Sequence, residues 1–167
     1  MVSNICMVGL LKTYTKNVAK CVADALEMFY ADVRELMEFD LINLAEASKI
    51  AGLDYIEKQE CNKIKTLATY ENTIFTLDYL SLNNEKNLES VKTGCLLIYL
   101  KLGATYFNKL LKREDIPNSE EILLKTMHTE HSKLLSEYAD VVVEVNNDKQ
   151  NVTNLILNKI EEYYENR

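Results

Sequence analysis

The segment Asn4–Lys20 begins like a phosphate-binding loop and then departs from that chemistry. An apolar run, Ile5 to Val8, leads into Gly9, and Leu10, Leu11, Lys12, Thr13, Tyr14, Thr15 and Lys16 follow. A loop of pattern G-x-x-x-x-G-K-[ST] needs a glycine beside its lysine, because its backbone N–H groups curl around phosphate oxygens with no Cβ in the way. Counted from Gly9, that glycine falls on Tyr14, the lysine on Thr15 and the Mg²⁺-binding hydroxyl on Lys16. A slip of one residue makes Lys16 the lysine but puts Asn17 where the hydroxyl belongs. Lys12 and Lys16 could still hold an anion at a helix N-terminus, where the dipole helps; as a solvated basic flank they need no ligand.

The other chemistry-bearing residues are sparse. His128 and His131 form H-x-x-H on one predicted helix, and with Leu124 and Leu135 they complete an apolar stripe, so packing explains them better than zinc. No metal site and no Ser/His/Asp or Cys/His arrangement stands out, so no catalytic residue is assigned. Cys6, Cys21, Cys61 and Cys95 are far apart and form no C-x-x-C pair, which fits reduced, mostly buried thiols in a cytoplasmic protein.

These residues must be positioned by an alternating strand and helix pattern. Strands are predicted at Ile5–Val8, Tyr30–Val33, Thr73–Leu77, Cys95–Leu100 and Val141–Val145. Helices are predicted from near Thr15, over 35–50 and 53–69 with a break at Gly52, then over Asn83–Lys92, Ala104–Lys112, Glu120–Glu137 and a closing stretch from Val152. Such a pattern implies βαβ crossovers and a five-stranded parallel sheet in a three-layer α/β/α sandwich. A flavodoxin-like order is an open alternative at this level. Ligands of such sheets bind beyond the carboxyl ends of the strands, which would gather 9–16, 32–34, 77–80 and 112–120 at one rim. The polar stretch Arg113–Ser119, which holds Pro117, is the expected mobile segment.

Bulk properties narrow the partners. The 167 residues suit one domain, and 47% apolar with 27% charged content is ordinary for a globular chain. A net charge of −7 argues against nucleic acid and acidic membrane surfaces. No convincing signal peptide and no membrane-length apolar stretch is present in the sequence.

Order, spacing and length resemble the shikimate kinase family, a group of P-loop kinases, over the whole chain. Asn4-Ile-Cys-Met-Val-Gly-Leu10 is similar to the family's first strand and glycine, and Tyr30-Ala-Asp-Val-Arg34 to its aromatic followed by D-x-D. Leu44-Ala-Glu46 and Gly52–Glu60 match its I-A-E and G-E-x-x-F-R-x-x-E stretches in spacing. Leu97-Ile-Tyr-Leu100 is similar to V-V-Y-L, and Ser136–Val143 to Y-x-x-x-A-D-x-x-V, with the tyrosine falling on Leu135.

The resemblance implies a P-loop kinase-like domain over 1–167, with a lid-like segment around 112–120. It implies a nucleotide loop at Gly9, Lys12, Thr15 and Lys16 with Asp32 near Mg²⁺, and a substrate pocket at Arg34, Glu57, Asp78 and His131. The departures fall on the working residues. The family's second carboxylate is Arg34, its substrate-binding arginines fall on Glu57 and His131, and its triple-glycine turn falls near Asp78. The lid's arginine motif is absent, with only Lys112, Arg113 and Pro117 nearby. Because Arg34 and Glu57 reverse the family's signs, they are expected either to pair across the old pocket or to stand as solvated charges. The expected function is a silent shikimate-kinase-like binding or interaction module with a protein partner or small ligand and no cofactor. The alternative is a small-molecule kinase using ATP and Mg²⁺ through an unconventional loop.

Overall fold

A computed structural model describes residues 4–41, 43–113 and 117–166. Five short strands form one parallel sheet: β1 (Asn4–Val8), β2 (Phe29–Asp32), β3 (Thr73–Thr76), β4 (Cys95–Leu102) and β5 (Val141–Val145). Their spatial order is β2-β3-β1-β4-β5. That order differs from the 2-1-3-4-5 of flavodoxin-like sheets and removes that alternative. The central strands β1 and β3 are buried along their whole length, and β4 along nearly all of it. Their sequences accordingly read as apolar runs rather than alternations, as in sheets covered on both faces.

Eight α-helices lie among the described residues: α1 (Lys12–Leu26), α2 (Val33–Leu41), α3 (Leu44–Ala51), α4 (Leu53–Thr69), α5 (Glu85–Gly94), α6 (Ala104–Leu111), α7 (Asn118–Tyr138) and α8 (Val152–Glu165). Right-handed crossovers put α1 on one face and α4, α5 and α7 on the other. α1 packs on α8, and α4 packs on α5. The apolar residues between these layers form one core that includes Ile5, Met7, Ile64, Phe75, Leu97, Tyr99 and Ile156.

The local chemistry explains where the elements begin and end. Asn43 caps α3 by accepting from the N–H groups of Ala45 and Glu46. Gly52 divides α3 from α4 at φ 85°, a left-handed value that favours glycine. The stretch predicted as one helix over 35–50 is instead two, α2 and α3. The second strand ends one residue early because Val33 already belongs to α2.

The thiols are distributed differently from the expectation. Cys6 and Cys95 are buried, but Cys61 is partly exposed and Cys21 exposed, all four as free thiols. The stretch expected to be mobile falls partly on residues 114–116, outside the described residues; on its far side Pro117 precedes the first turn of α7.

Candidate functional site

The rim at the carboxyl ends of β1, β2 and β3 holds a cleft of about 130 Å³, lined among others by Gly9, Lys12, Lys16, Asp32, Arg34 and Asp78. Three of the four segments expected at one rim therefore meet there. Of the fourth, residues 114–116 lie outside the described residues, and Arg113 beside them bonds Asp148.

The connection from β1 to α1 is only Gly9, Leu10 and Leu11. Helix α1 begins at Lys12, three residues before the predicted start. The physical reason lies in the sequence: after Gly9 no glycine or proline interrupts helix formation, so the chain winds up as soon as the strand ends. Leu10 and Leu11 are 4% and 1% exposed, so their side chains join the core instead of leaving bare backbone at the rim. The Leu11 carbonyl accepts from the Thr15 N–H at 2.9 Å and from the Thr15 hydroxyl at 2.8 Å. A Cβ on Gly9 would lie 2.3 Å from that hydroxyl oxygen, so the space glycine leaves is filled by Thr15. Tyr14 is a helical residue packed edge-to-face on Tyr106 and not a loop residue.

Counting from the helix start rather than from Gly9 brings out a pair that spacing alone missed. Lys12 and Thr13 occupy the first two helical positions in the lysine–hydroxyl order of a phosphate loop, three residues closer to Gly9 than that pattern requires. The signal was present in the sequence as Lys-Thr, but it becomes visible only once the loop is known to be short.

Every described cation of the cleft is met by one of the chain's own carboxylates. Lys12 Nζ lies 2.6 Å from Asp78 Oδ2. Lys16 lies 2.5 Å from Glu35 and 3.9 Å from Asp32. Burial works against the Lys16 charge, but its bond to Glu35 and the field of Asp32 outweigh it and raise the ammonium above its usual range. Asp32 is buried and committed: Oδ2 accepts from the Thr76 hydroxyl at 2.7 Å, and Oδ1 accepts from the Glu35 N–H at 3.0 Å, capping α2. The Tyr30 hydroxyl lies 2.8 Å from Thr76 Oγ1, and burial together with Asp32 pushes its phenol up to about 12.

Around the residues expected to form a substrate pocket, acidic groups predominate. Arg34 pairs with Glu38 at 2.9 Å, one helical turn away, and no Arg34–Glu57 ion pair occurs among the described residues. The solvated alternative therefore describes both charges; a local i,i+4 partner competes well because it needs no tertiary alignment. Glu57 is exposed on α4, one turn from Glu60, which accepts from the Ser81 hydroxyl at 2.7 Å. Burial raises the Glu60 carboxyl above its usual range, and Asp78 and Glu57 add to the shift against the Ser81 bond. His131 Nδ1 lies 3.3 Å from the Tyr79 hydroxyl, which is 3.1 Å from Met127 Sδ. His128 Nε2 donates to the Leu102 carbonyl at 2.8 Å, and its ring rests on Phe107. Both histidines thus pack as the stripe predicted, and no group of metal-ligating residues occurs among the described residues.

The Glu60 shift has a measurable sign. A carboxyl that binds its proton more tightly in the folded state loses stability as pH rises from the usual glutamate value of 4.5 through the raised one. Glu60→Gln keeps an acceptor for Ser81 and removes the charge. Its Tm is expected above that of the parent at pH 7, with the difference vanishing as the pH falls below 4.5. Thermal melts of both proteins across that range check the sign, and a difference independent of pH would refute the assignment.

The shikimate kinase family profile matches residues 15–161, starting beyond the loop at 9–14. The shikimate kinase of Chloroherpeton thalassium is 23% identical, over 81% of this chain and 76% of that one. Among solved structures, the shikimate kinase of Acinetobacter baumannii in complex with shikimate superimposes with a TM-score of 0.76 at 17% identity, covering 100% of this chain and 96% of that one. The Aquifex aeolicus shikimate kinase gives 0.75 at 21%, covering 98% and 99%. Among the described residues no helix is long and apolar enough to cross a membrane.

Proposed function

The chain belongs to the shikimate kinase family, and from that premise we propose that it has given up phosphoryl transfer and serves as a binding or interaction module. The observation that carries this reading is the β1–α1 connection: two buried leucines stand where backbone amides should face a phosphate. Phosphoryl transfer is almost entirely positioning and charge stabilisation, so it depends on the cradle, its lysine, Mg²⁺ and a lid arginine acting together. Here the cradle is closed into a helix, Lys12 is engaged by Asp78, and Asp32 spends both oxygens inside the protein. A cleft of about 130 Å³ is also well below the usual size of a small-molecule site. Glu57, Glu60 and Asp78 make the substrate side repel a carboxylate.

A protein partner is supported by large apolar side chains on three consecutive helices. Phe39 on α2, Ile50 on α3 and Leu53 on α4 are 84%, 86% and 70% exposed. The kinase alternative has one observation in its favour, the Lys12–Thr13 pair at the start of α1. Calorimetric titration with Mg²⁺-ATP and Mg²⁺-ADP at low salt separates the two. No heat and no thermal shift at millimolar nucleotide is the expected result. Micromolar binding would overturn the silent reading and call for a phosphate-acceptor assay that begins with shikimate.

A further inference from the structure

Away from the cleft, α6 carries a second charged arrangement. Tyr106 and Lys109 lie at i and i+3 on one side of α6, and Arg113 follows in the turn just beyond its end. All three converge on Asp148 in the loop after β5. The Tyr106 hydroxyl donates to Oδ1 at 3.0 Å, and Lys109 Nζ donates to Oδ2 at 2.5 Å. The Arg113 guanidinium spans both oxygens at 3.1 and 3.2 Å. This is the parallel fork by which arginine recognises carboxylates and phosphates. None of the four residues lines the rim cleft.

We propose that Tyr106, Lys109 and Arg113 form a receptor for an oxyanion, phosphate or carboxylate, which the chain's own Asp148 occupies at rest. Both sides of the contact are built rather than incidental. Tyr106 is 5% exposed, and Tyr14 packs edge-to-face on its ring at 6.2 Å. The Asp148 loop is held by its own side chains: Gln150 Oε1 accepts from the N–H groups of Asn146 and Asn147, and Asn147 Oδ1 accepts from that of Lys149. Lys109, Arg113 and Tyr106 together hold the Asp148 carboxyl well below the usual range, as bound anions are held.

Charge and exposure say what can compete. Among the described residues two cations face one carboxylate, which leaves a positive charge there within a chain of net charge −7. A doubly charged phosphate satisfies it better than the single charge of Asp148. Lys109, Arg113 and Asp148 are 52%, 54% and 41% exposed at the side chain, so a ligand can reach them from solvent. Tethering gives Asp148 a high effective concentration, which excludes weak anions until the tethered carboxylate is removed.

The test is titration of the parent chain and of Asp148→Asn with inorganic pyrophosphate and, separately, with citrate, at low salt and with circular dichroism as the check on folding. Asp148→Asn is expected to bind one of the two anions about tenfold or more tightly than the parent, because the tethered competitor is gone. The pyrophosphate and citrate arms distinguish a phosphate from a carboxylate ligand. Adding Arg113→Ala to Asp148→Asn is expected to abolish the gain. No gain for either anion in folded Asp148→Asn, or a gain that survives Arg113→Ala, overturns the proposal. Asp148→Ser removes the same charge and carries the same test should the asparagine variant fold poorly.

Discussion

Leu11→Ala is expected to lower the unfolding free energy by about 2–5 kcal/mol, the range for truncating a buried leucine where the surroundings cannot collapse. Leu11 is 1% exposed and sits immediately before α1, with β1 and Gly9 on its other side. The neighbouring backbone has little freedom to close the void, because the Leu11 carbonyl is held by two bonds from Thr15. In a working phosphate loop the residue before the lysine faces the ligand and contributes little to the core. Here it is a core residue that happens to lie in the loop. Urea denaturation of Leu11→Ala beside Lys12→Ala makes the contrast. Lys12 is 53% exposed at its side chain in an ion pair, so its alanine variant should change stability by less than about 1 kcal/mol. A Leu11→Ala loss below about 1 kcal/mol would mean that the connection is loosely anchored and free to open, and the silent reading would fail with it.

The same loop marks the border between what the sequence revealed and what it hid. The five strands were legible because each is a run of apolar or β-branched residues with turn residues at its ends, and their order in the chain forces parallel pairing. The start of α1 was not. Counting from Gly9 assumed the length of a phosphate loop, whereas the chain had lost the glycine that would stop the helix from winding toward β1. The partner of Arg34 was visible in principle as Glu38 four residues on, but the exchange of signs with Glu57 drew attention to a tertiary pair that does not form. Asp78 against Lys12 and Asp148 against Arg113 lie beyond sequence reading altogether, because each joins residues 66 and 35 positions apart through loops whose conformations no periodicity fixes.

Asp32→Ala is expected to cost about 2–4 kcal/mol, the sum of a lost helix cap at about 1 and a buried donor left unpaired at about 1–3. The residue is 7% exposed, and its two oxygens serve different elements. One caps α2 through the Glu35 N–H, and the other receives the proton of the Thr76 hydroxyl on β3. With that proton donated to Asp32, the Thr76 oxygen accepts from Tyr30, so the carboxylate ends a relay that ties β2 to β3. Asparagine can face its carbonyl oxygen to only one of the two donors, and its amide opposes the other. Asp32→Asn should therefore fall between the parent and Asp32→Ala. A metal-binding carboxylate behaves differently: its removal relieves charge and leaves apo stability nearly intact, while millimolar Mg²⁺ stabilises only the parent. Melting the three proteins with and without Mg²⁺ decides the role. A graded loss from Asp to Asn to Ala that Mg²⁺ does not alter means that the Asp32 carboxylate is part of the scaffold. A Mg²⁺-dependent rise in the parent that both variants lose would return Asp32 to the nucleotide site, and the kinase reading with it.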